Sequence, residues 1–216
     1  MVSHVVWDWN GTLLDDNDAV LAGVNAVCET FGRSPVDLAR WRAIYRRPLV
    51  DCYADLLGRR LGEQDWAALD RSYHDTYRAL LHTCRLAPGV PDELHRWAAA
   101  GRGQSLLSMW FHDELVPLVT EYRLAELFGR IDGLRVQVGG GSKAEHLETH
   151  LAAQELDPAD VVLIGDVLDD AVAAERAGAR CVLVTTGMAD PAALRAGGVP
   201  VTDSVAEALS LVTTWG

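Results

Sequence analysis

The most constraining feature of this sequence is the alternation of short apolar runs with helical segments from residue 87 onward. Alternation of this kind is typical of a parallel β-sheet with helices on both faces. The runs that we interpret as strands are Gln104–Ser108, Gly133–Val138, Val161–Gly165, Arg180–Thr185 and Val199–Thr202. The helices predicted between and around them are Pro91–Ala100, Asp113–Tyr122, Lys143–Leu156, Asp170–Ala177 and Ser204–Leu211.

One further strand, His4–Trp9, stands apart at the start of the chain. Its nearly continuous apolar character suits a strand that is covered on both faces, so we assign it to the same sheet. Residues 15–86 read as helical throughout. We therefore predict an α/β fold, with a Rossmann-like core made by residues 1–14 and 87–216 and an inserted all-helical cap over residues 15–86.

The charge distribution supports two modules and limits the partners. The 19 basic and 31 acidic residues give a net charge of −12, which argues against a sequence-independent grip on nucleic acid or anionic lipid. Residues 15–86 hold 10 Arg against 11 acids, whereas the rest of the chain holds 9 basic residues against 20 acids. Lys143 is the single lysine.

The sequence favours a cytoplasmic protein without a membrane partner. No run reaches the roughly 18 to 20 apolar residues that a membrane span needs, and the N-terminus has no basic leader. Cys28, Cys52, Cys84 and Cys181 lie far apart, so we expect reduced, mostly buried thiols.

Polar residues follow the predicted strands where ligands bind in open α/β sheets, beyond the carboxyl ends. The first strand leads into Asp8-Trp9-Asn10-Gly11-Thr12, another ends at Ser108, and a third ends at Gly165-Asp166, shortly before Asp170. Carboxylates on neighbouring strand ends repel unless a cation lies between them. Because the ligands on offer are hard oxygen atoms, the cation that fits is Mg²⁺.

Lys143 stands at a position that a helix disfavours for a cation. Ser142-Lys143-Ala144-Glu145 reads as a capping box, which puts Lys143 in the first helical turn. An ammonium group there is explained if it meets an anion, and a phosphoryl group is the obvious candidate. The preceding Gly139-Gly140-Gly141 lacks the spacing of a P-loop, so we interpret it as a turn.

Together these motifs resemble the haloacid dehalogenase-like hydrolase superfamily, in its order and at its spacings. The flanking segments Ala87–Val90, Ala173–Gly178 and Val182–Gly187 resemble its phosphoglycolate phosphatase-like branch. The resemblance covers nearly the whole chain. It implies a phosphatase, a phosphoric monoester hydrolase, that uses Mg²⁺ and acts on a small phosphorylated metabolite as a monomer or homodimer.

The resemblance also implies a role for each motif residue. Asp8 is the nucleophile that becomes a phosphoaspartate. Mg²⁺ is held by Asp8, the main-chain carbonyl of Asn10 and Asp166, while Asp170 orders its waters. The groups that bind the phosphoryl oxygens are Ser108, Lys143 and the turn residues Gly11 and Thr12.

Asn10 departs from the family pattern. The phosphatases carry a second Asp at this position as general acid and base, and its loss typically costs about 10²–10⁴ in rate. Three interpretations remain open: another group such as His112, Asp113 or a cap residue handles the proton, the substrate has a good leaving group, or the protein binds phosphate compounds without useful turnover. The last makes a catalytically weak phosphate-binding or regulatory protein the alternative function.

Two other branches of the superfamily fit less well. Phosphonoacetaldehyde hydrolases also lack that Asp, but their chemistry resembles a Schiff-base design that needs a cap lysine, and this chain has none. The dehalogenases work without metal and lack the acidic pair that Asp166 and Asp170 provide here.

Substrate choice is expected to reside in the cap. Arg46 and Arg47 follow Arg40 and Arg42 and stand just before Pro48. They are either part of a solvated helix face or substrate-binding residues that pair with an anionic part of the substrate. We expect His146 and His150, one helical turn apart, to be surface histidines rather than zinc ligands, because no third ligand is evident.

Overall fold

The structure, a computed structural model, describes residues 2–46, 48–135 and 142–215. The strands are β1 His4–Trp7, β2 Leu14–Asp15, β3 Arg85–Leu86, β4 Gly103–Phe111, β5 Ile131–Leu134, β6 Val161–Gly165, β7 Arg180–Val184 and β8 Val201–Thr202. The α-helices are α1 Asn17–Thr30, α2 Leu38–Ile44, α3 Leu49–Leu57, α4 Glu63–Leu80, α5 Val90–Ala99, α6 His112–Glu121, α7 Lys143–Ala152, α8 Leu168–Ala177, α9 Pro191–Ala196 and α10 Val205–Thr213.

Six strands form one parallel sheet in the order β5-β4-β1-β6-β7-β8, with helices on both faces. The predicted α/β fold class is therefore confirmed. The central strands carry apolar side chains without solvent exposure, as expected for a sheet that is covered on both sides; examples are Val5, Val6, Leu106, Val162 and Leu163. In this order β1 lies between β4 and β6, so the residues that follow these three strands meet at one edge.

The chain divides into two compact units. One contains Met1–Asp15, Leu86–Gly187 and Pro191–Gly216, and the other contains Asp16–Arg85 with Met188–Asp190. These boundaries differ by one residue from the predicted cap, and the assignment of Met188–Asp190 to the helical unit had no sequence signal. The roles of catalytic core and cap stay predictions.

The helical unit has its own apolar core. Helix α1 packs along α4. The buried residues of this core include Val24, Trp41 and Tyr53, and Met188 also belongs to it. The buried Tyr77 hydroxyl donates a hydrogen bond to Asp16 Oδ2 at 2.6 Å. None of the helices in the described ranges is long and apolar enough to cross a membrane.

Some predicted elements have different bounds. Strand β1 ends at Trp7 instead of Trp9, because the Trp9 carbonyl accepts hydrogen bonds from the turn that follows. Strand β4 continues past Ser108 to Phe111, with a register shift against β5 between Leu107 and Phe111. Part of the predicted strand Gly133–Val138 and the glycine turn 139–141 lie outside the described residues, and helix α9 was not predicted.

Candidate active site

A cluster of three buried carboxylates lies beyond the ends of β1 and β6. One carboxylate oxygen from each of Asp8, Asp166 and Asp170 lies within 4.8 Å of the other two. Asp8 follows β1, and its N–H donates to the carbonyl of Ile164 in β6 at 2.9 Å, which fixes the two strand ends side by side. The structure thus brings together the carboxylates that we predicted to lie beyond the strand ends.

The Lys143 ammonium reaches this cluster from the start of α7. Its Nζ lies 2.5 Å from Asp8 Oδ1 and also forms an ion pair with Asp170 Oδ1. Lys143 is 2% exposed, so both ion pairs are shielded from water. Ser142 is the N-cap as predicted, although its hydroxyl accepts from Ala144 N–H instead of completing a capping box with Glu145.

A tight turn after Asp8 carries the next motif residues. The Trp9 carbonyl accepts from the N–H groups of Thr12, Leu13 and Leu14, and Gly11 has a φ of +71°, which favours glycine. The N–H groups of Gly11 and Thr12 are thus used inside the turn, at 2.9 and 3.3 Å. Thr12 Oγ is buried and has no hydrogen-bond partner among the described residues, so this hydroxyl is available as a donor.

Ser108 and Asn10 lie next to each other at the same edge of the sheet. The Ser108 hydroxyl donates to Asn10 Oδ1 at 3.3 Å and accepts from Trp110 N–H at 3.0 Å. Ser108 is 1% exposed and belongs to the irregular part of β4, which departs from regular pairing with β5. Bulges of this kind are frequent next to active sites, where they redirect a side chain.

Three glycines enclose the carboxylates, and the motif analysis did not single them out for this contact. A Cβ on Gly187 or Gly11 would overlap the carboxylate of Asp166, and a Cβ on Gly165 would overlap that of Asp170. The Thr186 hydroxyl donates to the Gly11 carbonyl at 2.6 Å, which ties the loop after β7 to the turn after Asp8. For Gly187, the only sequence signal was the resemblance of Val182–Gly187 to the family's last segment.

Other candidate residues are engaged elsewhere. Arg46 is half exposed and pairs with Asp55 at 2.7 Å inside the helical unit, while Arg47 lies outside the described residues. His112 Nδ1 accepts from Gly133 N–H at 3.3 Å, and Arg135 Nη2 lies 3.0 Å from its Nε2, so both ring nitrogens have neighbours. Asp113 is exposed. His150 is 1% exposed, so the prediction that it lies at the surface was wrong.

The electrostatics of the cluster fit a divalent cation. Three buried carboxyl groups lie together, and one ammonium group pairs with two of them, so the acidic groups outnumber the cation. Burial raises the pKa of Asp8 to about 6, Lys143 opposes this rise and Asp170 adds to it. Burial disfavours the charged form of Lys143, but Asp170 and Asp8 outweigh it and raise the Lys143 pKa. Hard oxygen donors with excess negative charge are the surroundings that Mg²⁺ prefers.

Comparisons with known proteins agree with this geometry. A family model described as HAD-hydrolase-like matches residues 139–209. The chain is 26% identical to phosphoglycolate phosphatase 1 of Pseudomonas aeruginosa, over 85% of this chain and 69% of that protein. It is 25% identical to a 5'-nucleotidase of the same organism, over 89% of this chain and 87% of that protein.

The fold also matches solved structures. The crystal structure of a predicted phosphatase from Clostridium acetobutylicum superposes with a TM-score of 0.86 at 18% identity, covering 99% of both chains. At this identity the match shows the fold alone. The motifs, the carboxylate cluster and the sequence relatives confirm the resemblance to haloacid dehalogenase-like hydrolases of the phosphoglycolate phosphatase-like branch, and by enzyme class the chain is a phosphatase.

Proposed function

We propose that this protein is a Mg²⁺-dependent phosphatase that hydrolyses a small phosphorylated metabolite through a phosphoaspartate on Asp8. The observation that carries the proposal is the contact between the Lys143 ammonium and Asp8 within a cluster of three buried carboxylates. A carboxylate nucleophile, a metal-binding acidic set and a fixed cation are the components that phosphoryl transfer requires.

The residues that would hold Mg²⁺ are Asp8, the Asn10 carbonyl and Asp166, with Asp170 ordering its waters. When bound, the ion neutralises charge on the phosphoryl group and on the carboxylates around it. Asp170 would also hold Lys143, since the two already form an ion pair.

The chain's own groups would divide the two chemical steps between them. An Asp8 oxygen attacks phosphorus while the bond from phosphorus to the ester oxygen breaks, and the leaving oxygen takes up a proton. Water then attacks the phosphorus of the acyl phosphate, the Asp8 oxygen leaves, and inorganic phosphate is released. Lys143, Ser108 and the Thr12 hydroxyl bind the phosphoryl oxygens, and Gly11 allows the turn that places them.

Asn10 limits the speed of both steps. Its amide has no dissociable proton at neutral pH, so the proton for the leaving oxygen must come from water or from another acid. We therefore infer that substrates with a good leaving group are hydrolysed faster than alkyl phosphates.

The substrate class that we propose is a small anionic phosphate ester such as phosphoglycolate. The similarity to a phosphoglycolate phosphatase supports this substrate class. The similarity to a 5'-nucleotidase makes a nucleoside monophosphate the first alternative substrate to test. Arg46 and Arg47 as partners of an anionic part of the substrate stay a prediction. So do the cytoplasmic location, the absence of nucleic-acid and membrane partners, and the monomeric or homodimeric state.

Asn10 also favours a second candidate function. A protein that keeps the carboxylate cluster and Lys143 but lacks the acid–base residue can bind phosphate compounds with little turnover. This alternative is a catalytically weak phosphate-binding or regulatory protein.

Turnover of an aryl phosphate, of phosphoglycolate and of a nucleoside 5'-monophosphate distinguishes the two functions. We expect turnover that requires Mg²⁺ and disappears in Asp8→Asn, while Asp92→Asn, a change at an exposed residue of α5, leaves it intact. Binding of Mg²⁺ and inorganic phosphate without turnover of any of the three esters would favour the binding protein.

A further inference from the structure

A second group of buried polar side chains lies in the sheet unit, outside the carboxylate cluster. Ser105 Oγ lies 2.8 Å from His4 Nε2 and 2.8 Å from His150 Nε2, and His150 Nδ1 lies 2.7 Å from Asp132 Oδ2. We call these four residues the Ser105 network. Ser105 is 0% and His150 1% exposed, so water cannot replace these hydrogen bonds.

The positions of the protons in the network follow from the partners. Asp132 is an acceptor, so His150 carries its proton on Nδ1 and accepts at Nε2. Ser105 then donates its single hydroxyl proton to His150, and His4 donates from Nε2 to Ser105. Every hydrogen bond in this series thus has one defined direction, from His4 to Asp132.

The order serine, histidine, aspartate does not form a nucleophilic site here. Ser105 Oγ is fully buried and is shared by two imidazole rings, so no substrate can reach it. What the network does is join four elements by directional contacts: β1 through His4, β4 through Ser105, β5 through Asp132 and α7 through His150.

Three of these elements carry the groups proposed for phosphoryl transfer. Asp8 comes directly after the last residue of β1, the strand that contains His4. Ser108 belongs to β4, and Lys143 is the first residue of α7. Lys143 and His150 are seven residues apart, which places them two turns apart on the buried face of α7. Leu147 and Leu151 share this face, but apolar contacts resist sliding of a helix less than directional hydrogen bonds do.

We propose that His150, held by Ser105 and Asp132, is a positioning residue that sets the register of α7 and thereby holds the Lys143 ammonium against Asp8. Lys143's part in binding the phosphoryl group rests on the proposed function, whereas its position does not. Without the network, α7 retains its apolar face but loses the fixed distance between the helix start and the end of β1.

The single lysine makes the proposal directly measurable. In protein labelled with ¹³C-lysine, the Lys143 side chain gives the one lysine Cε signal, which two ion pairs displace from that of free lysine. Ser105→Ala and His150→Phe should move this signal towards free lysine and lower kcat on the order of 10²-fold, because a displacement of about 1 Å has that effect. Ser105→Ala removes the fewest atoms and remains informative if His150→Phe does not fold.

The control is a change of the same core without the network. Leu209→Ala on α10 removes buried apolar contacts of this unit, and its Lys143 signal should stay at the wild-type position. A wild-type signal in folded Ser105→Ala, or an equal shift in Leu209→Ala, would overturn the proposal. A shifted signal in a protein without turnover of any ester would support the positioning role and contradict the proposed function instead.

Discussion

At the scale of single residues, we expect Asn10 to limit the rate of the proposed chemistry. Its side chain accepts from the Ser108 hydroxyl at 3.3 Å, a contact that an aspartate can make equally well. Asn10→Asp therefore adds an acid–base group with little change in packing. We predict a gain in turnover on the order of 10²-fold for alkyl phosphates, and a smaller gain for an aryl phosphate that leaves without a proton.

Initial rates on the two ester types measure this effect. The double variant Asp8→Asn with Asn10→Asp is the control, and it should be inactive because the gain passes through Asp8. Equal or lower rates in Asn10→Asp would mean that Asn10 belongs to a different proton route.

Gly187 is the position at which the site leaves the least room for a side chain. Because a Cβ there would overlap the Asp166 carboxylate, Gly187→Ala must displace Asp166 or the loop after β7. We predict that the Mg²⁺ concentration for half-maximal activity rises about 10- to 100-fold, as for other residues that orient metal ligands. In Gly129→Ala, where a Cβ meets only ordinary contacts, Mg²⁺ activation should match the wild type, and an unchanged Mg²⁺ requirement in Gly187→Ala would contradict the prediction.

Asp8 and Asp166 could be predicted because each follows a strand of a parallel sheet, where position along the chain implies position in space. Lys143 could be predicted from its unusual place in the first turn of a helix, and the structure brings its ammonium into contact with Asp8. The contact of Gly187 with Asp166 could not be predicted, since a glycine carries no sign of what fills the space beside it. His150 was misjudged for a related reason: a histidine on a helix gives no sign of a buried partner on a distant strand.

At the scale of elements, the difference between the predicted and observed β4 has a physical cause. The polar Ser108 was interpreted as the end of the strand, yet the backbone continues to Phe111 because the register shift accommodates Ser108 within it. Strand positions were thus predictable from apolar runs, whereas irregular pairing depends on contacts with β5 that the sequence does not show.

His4, whose contact with Ser105 joins β1 to β4, is expected to make the stability of the fold depend on pH. Burial, with His150 nearby, lowers the pKa of His4 to about 4, below the value of about 6.5 that it has in an unfolded chain. The unfolded state therefore binds more protons between these two values, and the free energy of unfolding falls as pH decreases from 6.5 towards 4. Between pH 7 and 5 this contribution is about 2 kcal/mol.

Urea unfolding of the wild type and of His4→Gln at pH 7 and pH 5 tests this dependence. Glutamine can still donate to Ser105 but does not titrate, so the variant should lose about 2 kcal/mol less than the wild type on acidification. The remaining pH dependence comes from groups that both proteins share, His150 and Asp8 among them. The same loss in both proteins would contradict the assignment of this dependence to His4.

At the scale of the whole molecule, the carboxylate cluster opposes stability in the absence of a cation. Asp166 adds negative charge to Asp8 and Asp170 in a buried place, where like charges repel strongly. A ligand that binds only the folded state restores the difference by mass action, with about 2.7 kcal/mol at a concentration 100 times its Kd. If the proposed function is correct, stability and activity therefore depend on the same ion.

Asp166→Asn should separate the two contributions. Without Mg²⁺ the variant should be more stable than the wild type by about 1 kcal/mol, because one buried repulsive charge is gone. With Mg²⁺ the order should reverse, since only the wild type gains stability from the ion. Glu175→Gln, which removes one negative charge from the exposed face of α8, should leave both values unchanged and shows that net charge alone is not the cause. Thermal unfolding in EDTA and in excess Mg²⁺ measures the difference of each variant from the wild type under both conditions. If Mg²⁺ stabilised Asp166→Asn as much as the wild type, the ion would not bind through Asp166.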